Sequence, residues 1–302
     1  MDDRLDVAVL GAGGVGGLLA ALLARSGHHV TVLARDATAD HLRRHGLELR
    51  SDAYGDSVET VSAEPRLEAA PDLVLVTVKA TALEDALALV PPGSLGQALV
   101  VPFLNGLDHV DLLRSRYGPS HVATGTIRVE SERVSPGVVV HRSPFALVEL
   151  AAGQADPAQV QVAADALAGA GLSVTVRDDD RQVLWEKLSV LAPLALLPTS
   201  FAAPWGVLRD EHWAAVESVV GEVVAAALAE GVELDEGAVL GFLRDRVPDD
   251  MRSSMQKDAA SSQPLELDAI GGAVLRAARR GGTEAPVTQR LVDGLASIAI
   301  PD

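Results

Sequence analysis

Two scarce residue types mark where chemistry would sit in this chain. Lysine occurs three times in 302 residues and asparagine once, whereas arginine supplies 22 of the 25 cationic side chains. Arginine cannot release its proton in a protein, but a lysine in a partly desolvated cleft can donate one and recover it. Lys79 closes the apolar run 73–78, Asn105 follows the run 98–103, and Lys187 comes two residues after Trp185. A retained lysine is therefore a candidate proton donor and the lone amide a candidate ligand contact. Chance survival in an arginine-rich composition is the alternative, and position must decide.

Position begins at the amino terminus. The β-branched run Leu5–Leu10 passes straight into Gly11-Ala12-Gly13-Gly14-Val15-Gly16 and then into the helix-forming stretch 18–25. Strand, glycine turn and helix in that order form a dinucleotide-binding unit. Gly11 permits the tight turn, Gly13 lets the backbone approach a pyrophosphate, Gly16 allows close packing, and the helix start offers N–H groups to phosphate. The next strand, His29–Leu33, ends at Ala34-Arg35-Asp36. A cation there suits a ribose 2′-phosphate, so Arg35 points to NADPH, while one residue of register would give Asp36 the ribose of NAD instead.

The elements that must hold these residues follow from the pattern. With 48% hydrophobic residues, the chain can bury two cores. Strands are expected at Ser57–Val61, Leu73–Val78 and Ala98–Phe103, the last two apolar enough to be covered on both faces of a parallel sheet. Shorter strands at Val138–His141, Ala146–Leu150 and Ser173–Val176, with no long helices between them, read as an antiparallel extension of the same sheet. After Asp178-Asp179-Asp180, a linker and helix cap, helical patterns dominate: 181–197, 211–230, 236–246, and stretches from about 249, 265 and 285. The expected fold class is thus α/β, with an N-terminal Rossmann-type domain over 1–178 and a C-terminal all-helical domain over 179–302.

Composition excludes several functions. A net charge of −17 argues against nucleic acid and anionic membranes as partners. The absence of cysteine removes disulfides and thiolate chemistry and fits a reducing compartment. Met-Asp-Asp-Arg leads directly into the first strand, so neither leader nor membrane span is expected, and the cytoplasm is the expected location. The eight histidines, including His28-His29, His41 and His45, show no metal-binding spacing, so no metal site is expected, and no GxSxG elbow occurs. A homodimer is left open.

Taken in order, the glycine loop, Val78-Lys79, Leu104-Asn105-Gly106, Trp185-Glu186-Lys187-Leu188, Ser253-Ser254-Met255 and Leu265-Glu266-Leu267-Asp268 resemble the ketopantoate reductase family along essentially the whole chain. In that family an NADPH-binding α/β domain and a helical domain enclose a cleft where a 2-oxo acid is reduced to a 2-hydroxy acid. The resemblance implies that Lys187 protonates the oxygen left by hydride transfer. It implies that Glu266 lies near both lysine and nicotinamide and orients Lys187, although Pro264 also makes Glu266 an acid in a helix's first turn. Asn105 would touch cofactor and substrate, or serve only as a turn former before Gly106. Lys79 matches a cofactor-side lysine, Ser254 a substrate-contacting serine, and Ser131, more loosely, a small residue beside the nicotinamide.

Departures from the family are as informative. Two asparagines that hold the substrate's polar groups, four and eight residues beyond the lysine, are Leu191 and Ala195 here, and a third is lost at Gly271-Gly272. Losing hydrogen-bonding groups relaxes selection for a hydroxylated substrate. Pro193 is expected to interrupt and kink the helix that carries them. Three readings follow: a 2-oxo acid reductase acting on 2-dehydropantoate or a relative, a tailoring reductase for a bulkier, more apolar ketone or imine, and an NADPH-binding sensor without turnover. A sensor needs neither Lys187 nor Glu266.

Overall fold

A computed structural model describes residues 4–298. The chain divides into two compact units, Met1–Leu104 with His109–Val183, and Asn105–Asp108 with Leu184–Asp302. In the first unit the order is β1 (Asp6–Leu10), α1 (Gly14–Arg25), β2 (His29–Leu33), α2 (Asp36–His45), β3 (Leu47–Ser51), β4 (Ser57–Glu59), β5 (Ser62–Glu64) and β6 (Leu73–Val76). It continues with α3 (Leu83–Ala86), β7 (Leu99–Pro102), α4 (His109–Tyr117), β8 (Thr124–Arg128), β9 (Ser131–Ser135), β10 (Val138–His141), β11 (Leu147–Ala151), α5 (Pro157–Gly169) and β12 (Ser173–Arg177).

Five strands in the order β5-β2-β1-β6-β7 form a sheet in which every neighbouring pair is parallel. All residues of β6 and β7 are buried, which is why both read as unbroken apolar runs. Helix α1 is buried from Gly16 to Leu23. At Gly17 it passes beneath the Val139 side chain of β10, where a Cβ would collide.

Two expectations about the sheet are corrected. The run 57–61 is not one strand: β4 pairs antiparallel with β3, and the chain then re-enters as β5 beside β2. Nor do the later strands extend the parallel sheet antiparallel. They form two separate mixed sheets, β4-β3-β10-β9 and β12-β11-β8. Within these, β10 runs parallel to β3 and antiparallel to β9, and β11 parallel to β12 and antiparallel to β8.

The second difference has local causes, one of them a 13-residue helix where no long helix is expected. Helix α5, capped by Asp156 accepting the N–H of Ala158 at 2.9 Å, is the crossover that makes β11 and β12 parallel. Beyond β7 the ladder stops at a single bridge, Val100 to Val122. Ala123 N–H donates to Val100 there, so the even-numbered residues of β7 face that edge. The next of them, Pro102, has no N–H to offer.

The second unit is helical. It contains most of α6 (Asp180–Phe201), then α7 (Trp205–Glu211), α8 (Trp213–Ala229), α9 (Glu236–Asp245), α10 (Ser254–Ala260), a π-helical turn at Asp268–Gly272, α11 (Ala273–Gly281) and α12 (Pro286–Ile298). Its core joins Trp185, Leu188, Ala192 and Leu196 of α6 to Val216–Ala227 positions of α8 and to Ala273, Val274 and Ala277 of α11. Asp179 begins α6 as expected, accepting the N–H groups of Arg181 at 2.9 Å and Gln182 at 3.0 Å.

The interruption expected at Pro193 does not occur: α6 runs on through Pro193 and Pro198. Each proline deletes one intrahelical hydrogen bond, but buried residues before and after both positions anchor the helix on each side. Among the described residues no single helix is long and apolar enough to cross a membrane.

Candidate active site

The first unit builds a cradle from backbone. Gly11 sits at φ +106°, and a Cβ on it would lie 2.7 Å from Val78 Cγ1 and 3.1 Å from the Val78 nitrogen. Gly16 has no room either, because a Cβ there would strike the Gly11 carbonyl oxygen and Thr77 Oγ1. Thr77, buried after β6, donates its hydroxyl to the carbonyls of Leu10 and Gly11, both at 3.0 Å, and so pins the turn. Gly13 is different: a Cβ built on it meets nothing within 4 Å. That open face, beside first-turn N–H groups of α1 that have no intrahelical acceptor, fits a pyrophosphate.

The other residues expected to meet a cofactor divide by role. Ser131 buttresses the cradle, its hydroxyl donating to the Gly14 carbonyl at 2.8 Å while its own carbonyl packs where a Gly14 Cβ would be. Arg35 is exposed just after β2, in extended conformation, and its carbonyl accepts the N–H groups of Thr38 and Ala39 as α2 begins. Lys79 is exposed directly after Thr77-Val78 and starts a 3-10 turn. Ala12 and Val15 are half-buried in the loop.

The second unit assembles side chains from distant parts of the sequence. Asn105 Nδ2 donates to Glu266 Oε2 at 2.9 Å across 161 residues. An ionised carboxylate only accepts, so the asparagine must present its NH₂ to Glu266, which directs its carbonyl oxygen elsewhere. Glu266 is 8% exposed, and its backbone carbonyl accepts the N–H of Ile270 at 3.1 Å, so it also stands at the head of a helix as the sequence suggested.

Immediately after comes the π-helical turn, a feature frequent at functional sites. Gly106, at φ +91°, lies against this turn so closely that a Cβ would overlap the Ala269 carbonyl. Asp108 Oδ2 accepts from Arg276 Nη2 at 2.6 Å and Nε at 3.1 Å, and Arg276 Nη1 donates to Asp268 Oδ1 at 2.6 Å. Burial alone would lower the Arg276 guanidinium, but hydrogen bonds to Asp268 and Asp108 hold it above the ordinary arginine range.

Helix α6 carries two stripes. Trp185, Leu188, Ala192, Ala195 and Leu196 are fully buried, whereas Lys187, Val190, Leu191 and Leu194 are half-buried. Lys187 and Leu191 therefore share a face, while Ala195, 1% exposed, belongs to the apolar core. The hydroxyls of Ser189 and Thr199 donate to their own helix, to the carbonyls of Glu186 at 3.0 Å and Ala195 at 2.6 Å. Ser254 is exposed at the first position of α10, and its neighbour Ser253 is the cap, accepting the Gln256 N–H at 3.1 Å. Among the described residues no three acidic or histidine side chains group as a metal site, and the His41 and His45 rings lie tilted by 43° with centroids 4.7 Å apart.

Family models for ketopantoate reductase PanE/ApbA and for its C-terminal portion match residues 7–155 and 179–299. The chain belongs to the ketopantoate reductase family. It is 31% identical over 296 residues to a 2-dehydropantoate 2-reductase of Mycobacterium tuberculosis, covering 96% of this chain and 97% of the relative. An oxidoreductase of Bacillus subtilis, YkpB, is 28% identical, with coverage of 95% and 96%. Among solved structures, a PanE/ApbA family ketopantoate reductase of Ralstonia eutropha superposes with TM-score 0.87 at 29% identity, covering 97% and 98% of the two chains. The fold alone is shared with a D-mandelate dehydrogenase at TM-score 0.89, 22% identity and coverage of 97% and 98%. As a family member the protein is an oxidoreductase that uses a nicotinamide dinucleotide.

Sequence reasoning missed three residues of this arrangement. Thr77 had a local signal, because a polar residue interrupts an apolar strand run directly before Val78-Lys79. Asp108 is three residues beyond the only asparagine, also within reach of inspection. Arg276, 168 residues from Asp108, had none.

Proposed function

We propose that this chain reduces a 2-oxo acid to the 2-hydroxy acid with NADPH, using Lys187 as proton donor. The observation that carries the reading is the Asn105–Glu266 hydrogen bond, which joins two residues singled out separately by family pattern and by scarcity. Bound NADPH supplies hydride to the carbonyl carbon. The Lys187 ammonium stabilises the negative charge that develops on the carbonyl oxygen and gives that oxygen a proton, later regaining one from solvent. Glu266 favours the charged lysine and turns the Asn105 amide, leaving its carbonyl oxygen for cofactor or substrate. The glycine loop Gly11–Gly16 receives the pyrophosphate, Ser131 and Thr77 hold that loop in shape, Arg35 takes the 2′-phosphate, and Lys79 and Ser254 complete the cofactor and substrate contacts. A chain without cysteine fits a reducing compartment, which supports the cytoplasm as the place of the reaction.

A second reading concerns the substrate. Leu191 offers an apolar half-buried surface on the face of α6 that carries Lys187, and the Ser189 and Thr199 hydroxyls are already committed to helix carbonyls. Both features support a carbonyl compound more apolar than 2-dehydropantoate. NADPH oxidation against a panel running from 2-dehydropantoate to aryl and branched-alkyl 2-oxo acids tests the two together. Turnover of any member supports the reductase, and preference for the apolar members supports the second reading. No turnover with any of them contradicts both.

A further inference from the structure

We propose that Arg276 is a positioning residue of this site. Resting on the reductase reading above, it sets the register between the strap Asn105–Asp108 and the segment bearing Glu266, and thereby aims the Asn105 amide. Its guanidinium grips Asp108 at the far end of the strap through Nη2 and Nε, and takes hold of Asp268 at the start of the π-helical turn through the carboxylate at 2.6 Å and the backbone carbonyl at 3.0 Å. The planar guanidinium makes both sets of bonds at once, which a point charge cannot.

Between these ends the strap has no slack. Gly106 is seated on the Ala269 carbonyl, and Asn105 is bonded to Glu266 two residues before Asp268. The clamp and the amide are therefore two ends of a four-residue lever lying on one turn of helix.

Space has been left for the clamp. A Cβ on Gly272 would come to 2.6 Å from Asp268 Oδ1 and 3.0 Å from Arg276 Nη1, so alanine here would displace these two flexible ends from their present pairing. Gly272 itself has ordinary helical angles, φ −60° and ψ −37°. Alanine would suit its backbone and raise helix propensity while pushing the clamp apart. The ion pairs are partly exposed, with side-chain accessibilities of 34% for Arg276, 46% for Asp108 and 86% for Asp268. Such pairs add little to global stability, so their consequence is geometric.

The test uses the full-length chain with Arg276→Ala and Gly272→Ala, each alone and combined with Asn105→Ala. Arg276→Ala is expected to lower kcat/KM by roughly tenfold to a hundredfold, the order of loss for a misplaced contact. Gly272→Ala is expected to shift kcat/KM the same way without lowering Tm. In the Asn105→Ala background neither change should cost much more, because the group they aim is gone. Hydrogen exchange at the amides of Gly106 to Asp108 should be faster in both variants, a readout that needs no turnover. Unchanged exchange, or losses in kcat/KM that simply multiply with that of Asn105→Ala, would overturn the proposal. A wild type inert towards every 2-oxo acid would instead sink the reductase reading, and exchange at the strap would still decide the clamp.

Discussion

The glycine loop of the first unit and the Asn105–Glu266 pair of the second are made of opposite materials. The loop is backbone: what it offers a ligand is N–H groups, its shape is fixed by Thr77 and Ser131 gripping carbonyls, and Gly11, Gly14 and Gly16 are required by missing volume. The pair is side chain, drawn from positions 161 residues apart and held by a strap and an ion-pair clamp. A backbone site tolerates change of side-chain character but not added bulk. A side-chain site fails with the loss of one functional atom, or of the contacts that aim it. The cofactor half should thus break by volume alone, and the catalytic half by chemistry or by misaiming.

The largest effect is expected in the catalytic half. Lys187→Ala should fold and bind NADPH normally yet lose on the order of a hundredfold or more in kcat, and Lys187→Arg should not restore it because arginine cannot deliver the proton. Near-normal turnover in Lys187→Ala would place the proton source elsewhere. Next comes Gly16→Ala, which adds a single methyl group against the Gly11 carbonyl and Thr77 Oγ1. It should destabilise by about 1–3 kcal/mol and abolish measurable NADPH binding, read by thermal melting and cofactor titration. Normal binding there would mean that the loop is not the tight backbone cradle described.

Arg35→Ala sharpens the comparison, since it removes a charged side-chain contact expected in the backbone half. NADPH should bind roughly ten- to a hundredfold more tightly than NADH in the wild type, and the difference should collapse in the variant. Equal affinities in the wild type would remove Arg35 from the site. The smallest effect separates two positions on α6. Leu191→Asn, on the half-buried face, should raise kcat/KM for 2-dehydropantoate, whereas Ala195→Asn, in the core, should cost about 1–3 kcal/mol of stability without improving it. Improvement only with Ala195→Asn would reverse that assignment.

What the sequence disclosed follows the same division. The cradle was legible because strand, glycines and helix are contiguous, and the cap at Asp179 because capping is a local rule. That β6 and β7 belong to a parallel sheet is visible in their buried runs; the strand order is not. The break between sheets was not, since it hinges on which edge of β7 receives the missing N–H of Pro102. Pro193 was read as a breaker, because propensity ignores the core contacts that carry α6 through it. Lys187, Glu266 and Asn105 are singled out by pattern, but the bond between Asn105 and Glu266, and the Arg276 clamp beneath it, exist only once the chain has folded.

The central claim is that hydride passes to a carbonyl carbon on this protein. It is tested most directly by incubating the enzyme with NADPH deuterated at the transferring nicotinamide position and a panel of 2-oxo acids, then analysing the products by mass spectrometry. The account predicts a 2-hydroxy acid bearing deuterium on the former carbonyl carbon, formed by wild type and nearly absent with Lys187→Ala. Cofactor binding with no deuterated product from any substrate would contradict it and leave a dinucleotide-binding protein without turnover.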